Sequence, residues 1–334
     1  MLPCAPVSAQ APSVADVASY AGPDRAEKLI AGARKEGFVS VYSSANSDDM
    51  TVLIAAFEKK YGVKVRVWRA SSENIVQRGV TEARGNRFDV DVFETGGAAM
   101  ESLHREKLLQ AVKSPAFDEL NPAALTPHGE WTGTRFNVFV AAYNTKLIRK
   151  DDLPKSYDEL ADGKWKGKLG IELDDTDWFG AVIDRLGEQR GLKLFRDIVA
   201  ANGISVRKGH TLLANLIVSG EVPLAITTYA YRVTQLKNSG APVDWFVIPP
   251  VIARFEGTGV ARRAPHPDAA VLFYDFMLTE AQALLRDRDY YPASRNVRPL
   301  PDGITVSFID PAKSLDESQK WSRYYRDIVV TKAR

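Results

Sequence analysis

The chain has one cysteine and four histidines in 334 residues. A lone Cys4 excludes an internal disulfide. His104, His128, His210 and His266 are scattered, and no Cys/His spacing suggests a zinc site. Charge of one sign is also lacking. The 44 Lys+Arg against 42 Asp+Glu leave a net +2, which makes no case for nucleic acid or a polybasic membrane surface. No apolar run is long enough to cross a bilayer. Enzyme signatures are missing as well. There is no Gly-x-Ser-x-Gly elbow, no P-loop, no His-Glu-x-x-His, and no dinucleotide pattern at residues 85–88. These absences point to a protein that binds without performing chemistry and holds no resident cofactor.

What is present is ordinary for a globular chain: 45% hydrophobic and 26% charged residues, at a length sufficient for two lobes. Residues 1–13 differ, being rich in Ala, Pro and Ser, with Val7-Ser8-Ala9 before Gln10 resembling a small-residue cleavage site. Residues 1–25 are therefore expected to be a disordered leader, the remnant of a signal peptide. A lipid anchor on Cys4 is the weaker alternative, because so few residues precede it.

Beyond the leader, helical and extended patterns alternate. Residues 26–36 read as a helix stopped by Gly37, and Phe38-Val39-Ser40-Val41-Tyr42 as a strand. A helix ended by Gly62, the strand Val63-Lys64-Val65-Arg66-Val67-Trp68, a helix over 72–84 and the strand Asp89-Val90-Asp91-Val92-Phe93 follow. Such alternation implies a parallel sheet with helices on both faces. The apolar, extended stretch 134–143 is expected to cross into a second lobe over 137–252, and a strand over 243–252 to lead back. Residues 253–334 then join 26–136 in the first lobe. The expected class is α/β: two lobes, each a mostly parallel sheet flanked by helices, joined by hinge strands that let them close.

Four strand-to-helix turns are candidates for the site: residues 43–47, 94–97, 174–178 and 207–211. Helix N-termini there offer free N–H groups to an anion. Ser43, Ser44, Asn46 and Thr95 add side-chain donors, and Gly96 and Gly97 permit close backbone approach. Each of these residue types is also a common helix cap. Arg207 offers a guanidinium fork to a carboxylate or phosphate, or is a surface cation. His210 can donate to a ligand or cap a helix. Asp175, with Asp174 and Asp177, can meet a cation or cap a helix, and Trp178 offers a flat face or is core. Beside these turns, Ile226-Thr227-Thr228-Tyr229-Ala230-Tyr231 ends a buried strand, the place where open α/β sheets hold their ligands. It sets Thr228, Tyr229 and Tyr231 among the candidates.

That segment resembles the ligand-tyrosine segment of the periplasmic ferric-ion-binding proteins, a branch of the type II solute-binding family of ABC importers. The resemblance extends over about residues 38–299. It is carried by Val39-Ser40-Val41-Tyr42-Ser43, Phe57-Glu58-Lys59-Lys60-Tyr61-Gly62-Val63-Lys64-Val65, Asp89-Val90-Asp91-Val92-Phe93 and Tyr143-Asn144-Thr145-Lys146-Leu147. Lys164-Trp165-Lys166-Gly167-Lys168-Leu169-Gly170, Gly220-Glu221-Val222 and His266-Pro267-Asp268-Ala269-Ala270 continue it in order. It implies a two-lobed closing fold, periplasmic residence and delivery of a small-molecule ligand to an inner-membrane ABC permease, by a protein expected to be monomeric. In that branch iron is held by a histidine, matched here by Asn46, a glutamate, matched by Gly96, and two adjacent tyrosines, matched by Tyr229 and Ala230. One matched phenol is a small set for a hard ferric ion, which wants several anionic oxygens. The first reading is therefore capture of a small organic anion (a carboxylate, phosphonate or phosphate ester) with no metal. The alternative is ferric iron, or an iron chelate, on Tyr229 and Tyr231.

Overall fold

The computed structural model describes residues 13–297, 300–301 and 303–331. The expected cleavage site and Cys4 lie outside them. The rest of the supposed leader is folded. Helix α1 (Val14–Ser19) is started by a capping box, in which Ser13 and Asp16 each accept from the other's backbone. Val17 and Ala18 are buried.

The first lobe then follows the expected alternation: α2 (Arg25–Glu36), β1 (Phe38–Ser43), α3 (Ser47–Tyr61), β2 (Lys64–Arg69), α4 (Ser72–Arg84), β3 (Val92–Gly96), α5 (Gly97–Arg105) and the short β4 (Leu109–Gln110). Gly37 and Gly62 end α2 and α3 at φ 83° and 73°, which is why glycine stands there. Strand β1 pairs in parallel with β2 and β3.

Strand β5 (Thr132–Asn144) crosses to the second lobe, formed by β6 (Leu169–Glu172), α6 (Thr176–Leu186), α7 (Glu188–Asn202), β7 (Ser205–Arg207), α8 (His210–Ser219), β8 (Leu224–Tyr229), α9 (Ala230–Asn238) and β9 (Val243–Phe246). The return is made by β10 (Val251–Ala261), after which α10 (Pro267–Leu278), α11 (Glu280–Asp287) and the short β11 (Tyr291–Pro292) pack on the first lobe. Strand β12 (Val306–Phe308), α12 (Pro311–Asp316) and α13 (Ser318–Tyr325) complete the fold. The strand order is β2-β1-β3-β10-β5-β8-β6-β7.

Strand β5 changes sheets along its length. Residues 132–138 pair with β10, and 139–144 pair with β8 and β9. Its side chains divide accordingly. Phe136 and Val138 pack in the first core, with Phe57, Phe93 and Phe273, while Phe139, Ala141 and Tyr143 pack in the second, with Trp178, Phe179 and Phe195.

Two boundaries differ from the sequence reading. The return crossing is β10, beginning only where the expected return strand, 243–252, ends. The last helix also joins the second core, whereas residues 253–334 are expected in the first lobe. Trp321 and Tyr325, spaced to share one face of α13, bury against Phe179, and the Tyr325 hydroxyl donates to the Glu172 carbonyl.

Candidate functional site

The crossing strands bring four polar side chains into a mostly apolar ladder. The β5–β10 register sets Asn137 opposite Arg254 and Arg135 opposite Glu256. Residues two apart on a strand share a face, so all four emerge on the same side. They form the floor of a cleft of about 550 Å³. Ser44, Asn46, Ser72 and Glu73 line it from the first lobe, and Glu172, Asp174, Asp175, His210, Tyr229 and Tyr231 from the second.

Tyr229 is the last residue of β8 and the N-cap of α9. Its ring lies 3.7 Å from that of His210 and 5.2 Å from that of Phe139, and its hydroxyl meets the Arg254 guanidinium. Tyr231 sits in the first turn of α9, so the strand does not reach it. The helical turn still brings its ring to 5.9 Å from Tyr229 and 4.0 Å from Tyr290, making a row of three phenols. Burial pushes the Tyr229 phenol well above its ordinary value, against the opposing pull of Arg254.

The charges are held in a network. Arg254 pairs with Asp177 at 2.9 Å and approaches Glu256 at 3.7 Å. Asn137 Nδ2 donates to Glu256 Oε1 at 3.0 Å, and buried Arg135 pairs with Glu94. Glu172 accepts from the Gly209 N–H at 2.7 Å and from the Asp174 N–H, tying the two second-lobe turns together. Asp175 Oδ1 lies 3.1 Å from His210 Nε2. Burial works to raise the Asp175 carboxyl, but the attraction of His210 and Arg254 holds it below the usual carboxylate range. Burial raises Glu172, reinforced by Asp175, and burial raises Glu256. Carboxylates outnumber guanidiniums on the wall: Glu73, Glu172, Asp174, Asp175 and Glu256 face Arg135 and Arg254. Several buried polar atoms there have no hydrogen-bond partner, namely Arg135 Nε, Asn137 Oδ1, Asp175 Oδ2, His210 Nδ1 and Arg254 Nε. Buried polar atoms are ordinarily satisfied, so a concentration of exceptions marks a place open to water or a polar ligand.

Of the residues singled out in the sequence, Ser44, Asn46, Asp174, Asp175, His210, Tyr229 and Tyr231 meet at the cleft. Asn46 also caps α3, accepting from the Asp48 N–H at 2.9 Å. Thr95 stands one step back, with its hydroxyl donating to Ser72 Oγ at 2.7 Å. Gly96 is behind the same wall, where a Cβ would lie 3.6 Å from Ser72 Oγ and Glu256 Oε2. The others do not line the cleft. Ser43 is buried on Glu94 at 2.5 Å, Gly97 packs against Phe255 and Pro311, and Thr228 is buried in β8 opposite Val140. Trp178 is core, against Tyr157 and Phe195. Arg207 turns to Glu221, 3.1 Å away, in an ion pair whose side chains are 36% and 58% exposed. Arg207→Ala is therefore expected to leave cleft affinity unchanged and to alter stability by less than about 1 kcal/mol in a denaturation curve.

The sequence reading missed Arg135, Asn137, Glu172, Arg254, Glu256 and Tyr290. The available signal was polar residues two apart within long apolar stretches, Arg135-Phe136-Asn137 and Arg254-Phe255-Glu256. Such residues on a buried strand need partners or a ligand. A second acid–histidine cluster, Glu101, His104 and His128, lies elsewhere on the first lobe. Its rings stack at 3.7 Å, and His128 Nδ1 already accepts from the Glu130 N–H at 3.1 Å.

Two α/β lobes, a cleft between them and two long crossing strands define a two-lobed periplasmic-type binding protein. Solved structures share the fold. The Trichodesmium protein IdiA (FutA), in complex with iron and citrate ligands, superposes at a TM-score of 0.70 with 20% identity, covering 87% of this chain and 99% of that one. AfuA from Actinobacillus pleuropneumoniae, with exogenous fructose-6-phosphate bound, superposes at 0.76 with 20% identity, covering 88% and 99%. The chain belongs to the bacterial extracellular solute-binding protein family, whose pattern matches residues 52–307. Iron uptake protein A1 of Synechocystis sp. is 26% identical over 300 residues, 84% of this chain and 82% of that protein. The resemblance read from the sequence is thus correct at the level of family and fold, and these relatives are binding and uptake proteins.

Proposed function

We propose that this protein is the periplasmic substrate-binding component of an ABC importer, and that its cargo is ferric iron carried with a small anion. This is the alternative of the sequence reading, now placed ahead of the first. The observation that carries it is the composition of the cleft wall. Tyr229 and Tyr231 stand 5.9 Å apart on a wall where carboxylates exceed guanidiniums. Hard trivalent iron favours anionic oxygen donors of this kind. Arg254 and Arg135 then neutralise the accompanying anion. The iron-uptake relative and the fold neighbour solved with iron and citrate support the same choice. The lobes close on the cargo by bending at β5 and β10, and a membrane permease recognises the closed monomer.

A second reading, an organic anion without metal, rests on Arg254 and on the neighbour solved with a sugar phosphate. A thermal-shift comparison on ligand-stripped protein separates the two. A ligand at 100 times its Kd stabilises by about 2.7 kcal/mol. Ferric citrate is expected to raise Tm well beyond citrate alone. An equal shift with citrate or fructose 6-phosphate alone, and none added by iron, would favour the metal-free reading.

A further inference from the structure

We infer that His210 supplies a nitrogen ligand to the captured metal through Nδ1, and that Asp175 is the positioning residue that holds the ring for it. This rests on the reading of the cleft as a ferric site and deepens it by adding a donor from the second lobe.

The placement of His210 is built into the fold. The residue opens α8 directly after Gly209, whose φ of 98° favours glycine and whose N–H is held by Glu172 Oε1 at 2.7 Å. His210 Nε2 lies 3.1 Å from Asp175 Oδ1, and the Asp175 side chain is 1% exposed. That contact holds a ring hydrogen on Nε2, so the neutral ring, the form that can ligate a metal, carries its lone pair on Nδ1. Nδ1 is buried and has no hydrogen-bond partner. Among the described residues, no other histidine has a buried ring nitrogen in this condition. His128 Nδ1 accepts from a backbone N–H, and His104 and His266 put Nδ1 on Glu130 and Asp91.

An imidazole donating one N–H to a carboxylate, with its second nitrogen open, is the arrangement of a metal-ligating histidine and its outer partner. Two further observations set oxygen donors near the ring. The ring lies against Tyr229, with centroids 3.7 Å apart. Carboxylate oxygens of Glu172 and Asp175 stand within 4.8 Å of a His210 ring nitrogen, so the ring sits among acidic groups that hold it in place. The cleft thus offers nitrogen as well as oxygen donors, which suits a borderline or ferric ion better than an alkaline-earth ion.

The test is pulsed EPR on the full chain loaded with ferric citrate, together with chelator competition. Wild-type protein is expected to show coupling of the iron to one imidazole nitrogen. His210→Gln should lose that coupling and bind iron more than 10-fold more weakly. Asp175→Asn should keep the coupling while losing roughly 10–100-fold in affinity, the usual effect of removing an outer partner. Iron bound without nitrogen coupling, or with unchanged affinity in His210→Gln, overturns the inference and leaves the ferric reading standing. Failure of the wild-type protein to take up iron overturns both. The wild-type spectrum needs no variant, so the inference stays testable if a substituted chain does not fold.

Discussion

Replacing Tyr229 with phenylalanine is expected to abolish tight ferric binding in a protein that still folds. The substitution keeps the ring and removes one oxygen. The contacts with Phe139 and His210 are ring contacts and survive. Arg254 loses the phenol but keeps Asp177 at 2.9 Å, so no guanidinium is left unpaired. The metal loses an anionic donor outright. The affinity loss should exceed the roughly 10–100-fold that follows removal of an outer-sphere partner. A pH dependence accompanies it. Burial raises the Tyr229 phenol well above its ordinary value, so in the empty cleft it keeps its proton at neutral pH. Iron must displace that proton, and wild-type affinity therefore rises with pH and falls as the solution is acidified. In Tyr229→Phe the slope should shrink by about one proton. Chelator competition at several pH values reads both effects. Wild-type affinity and slope in the variant would show that the phenol is not a ligand.

The largest effect on stability is expected at Glu94. It is fully buried in the middle of β3, where it accepts from Ser43 Oγ at 2.5 Å and from Arg135, itself only 4% exposed. Glu94→Ala leaves the Arg135 guanidinium buried without its carboxylate. Breaking a buried pair from one side typically costs about 3–5 kcal/mol, because desolvation of the surviving charge is no longer offset. Replacing both partners, Glu94→Gln with Arg135→Met, should recover much of that loss, since neither charge of the pair is then left buried alone. Denaturant unfolding of the single and double variants checks this. A single-variant loss below about 1 kcal/mol would mean that water or Glu256 satisfies Arg135.

Much of the fold is legible in the sequence because its signals are local. The alternation through β1, α3, β2 and α4 carries its own stops at Gly37 and Gly62. The end of β8 at Tyr229 is marked by the preceding apolar run. Three features were hidden, each for a physical reason. The capping box Ser13–Asp16 sits in a stretch whose Ala and Pro content reads as leader. Trp321 and Tyr325 define an apolar face of α13, but a face does not say which of two cores it meets. The cleft floor depends on register. Only the antiparallel pairing of β5 with β10 brings Arg135 to Glu256 and Asn137 to Arg254, residues more than a hundred positions apart. Arg207 shows the converse. A cation at a strand end looks poised for a ligand, yet a nearby Glu221 takes it.

The absorption spectrum of ligand-stripped protein titrated with ferric citrate tests the central claim most directly. Phenolate bound to ferric iron absorbs visible light, so the account predicts a coloured complex whose band grows to saturation at one iron per chain. Tight binding of iron with no visible band, or no binding while an organic anion alone raises Tm, would contradict it.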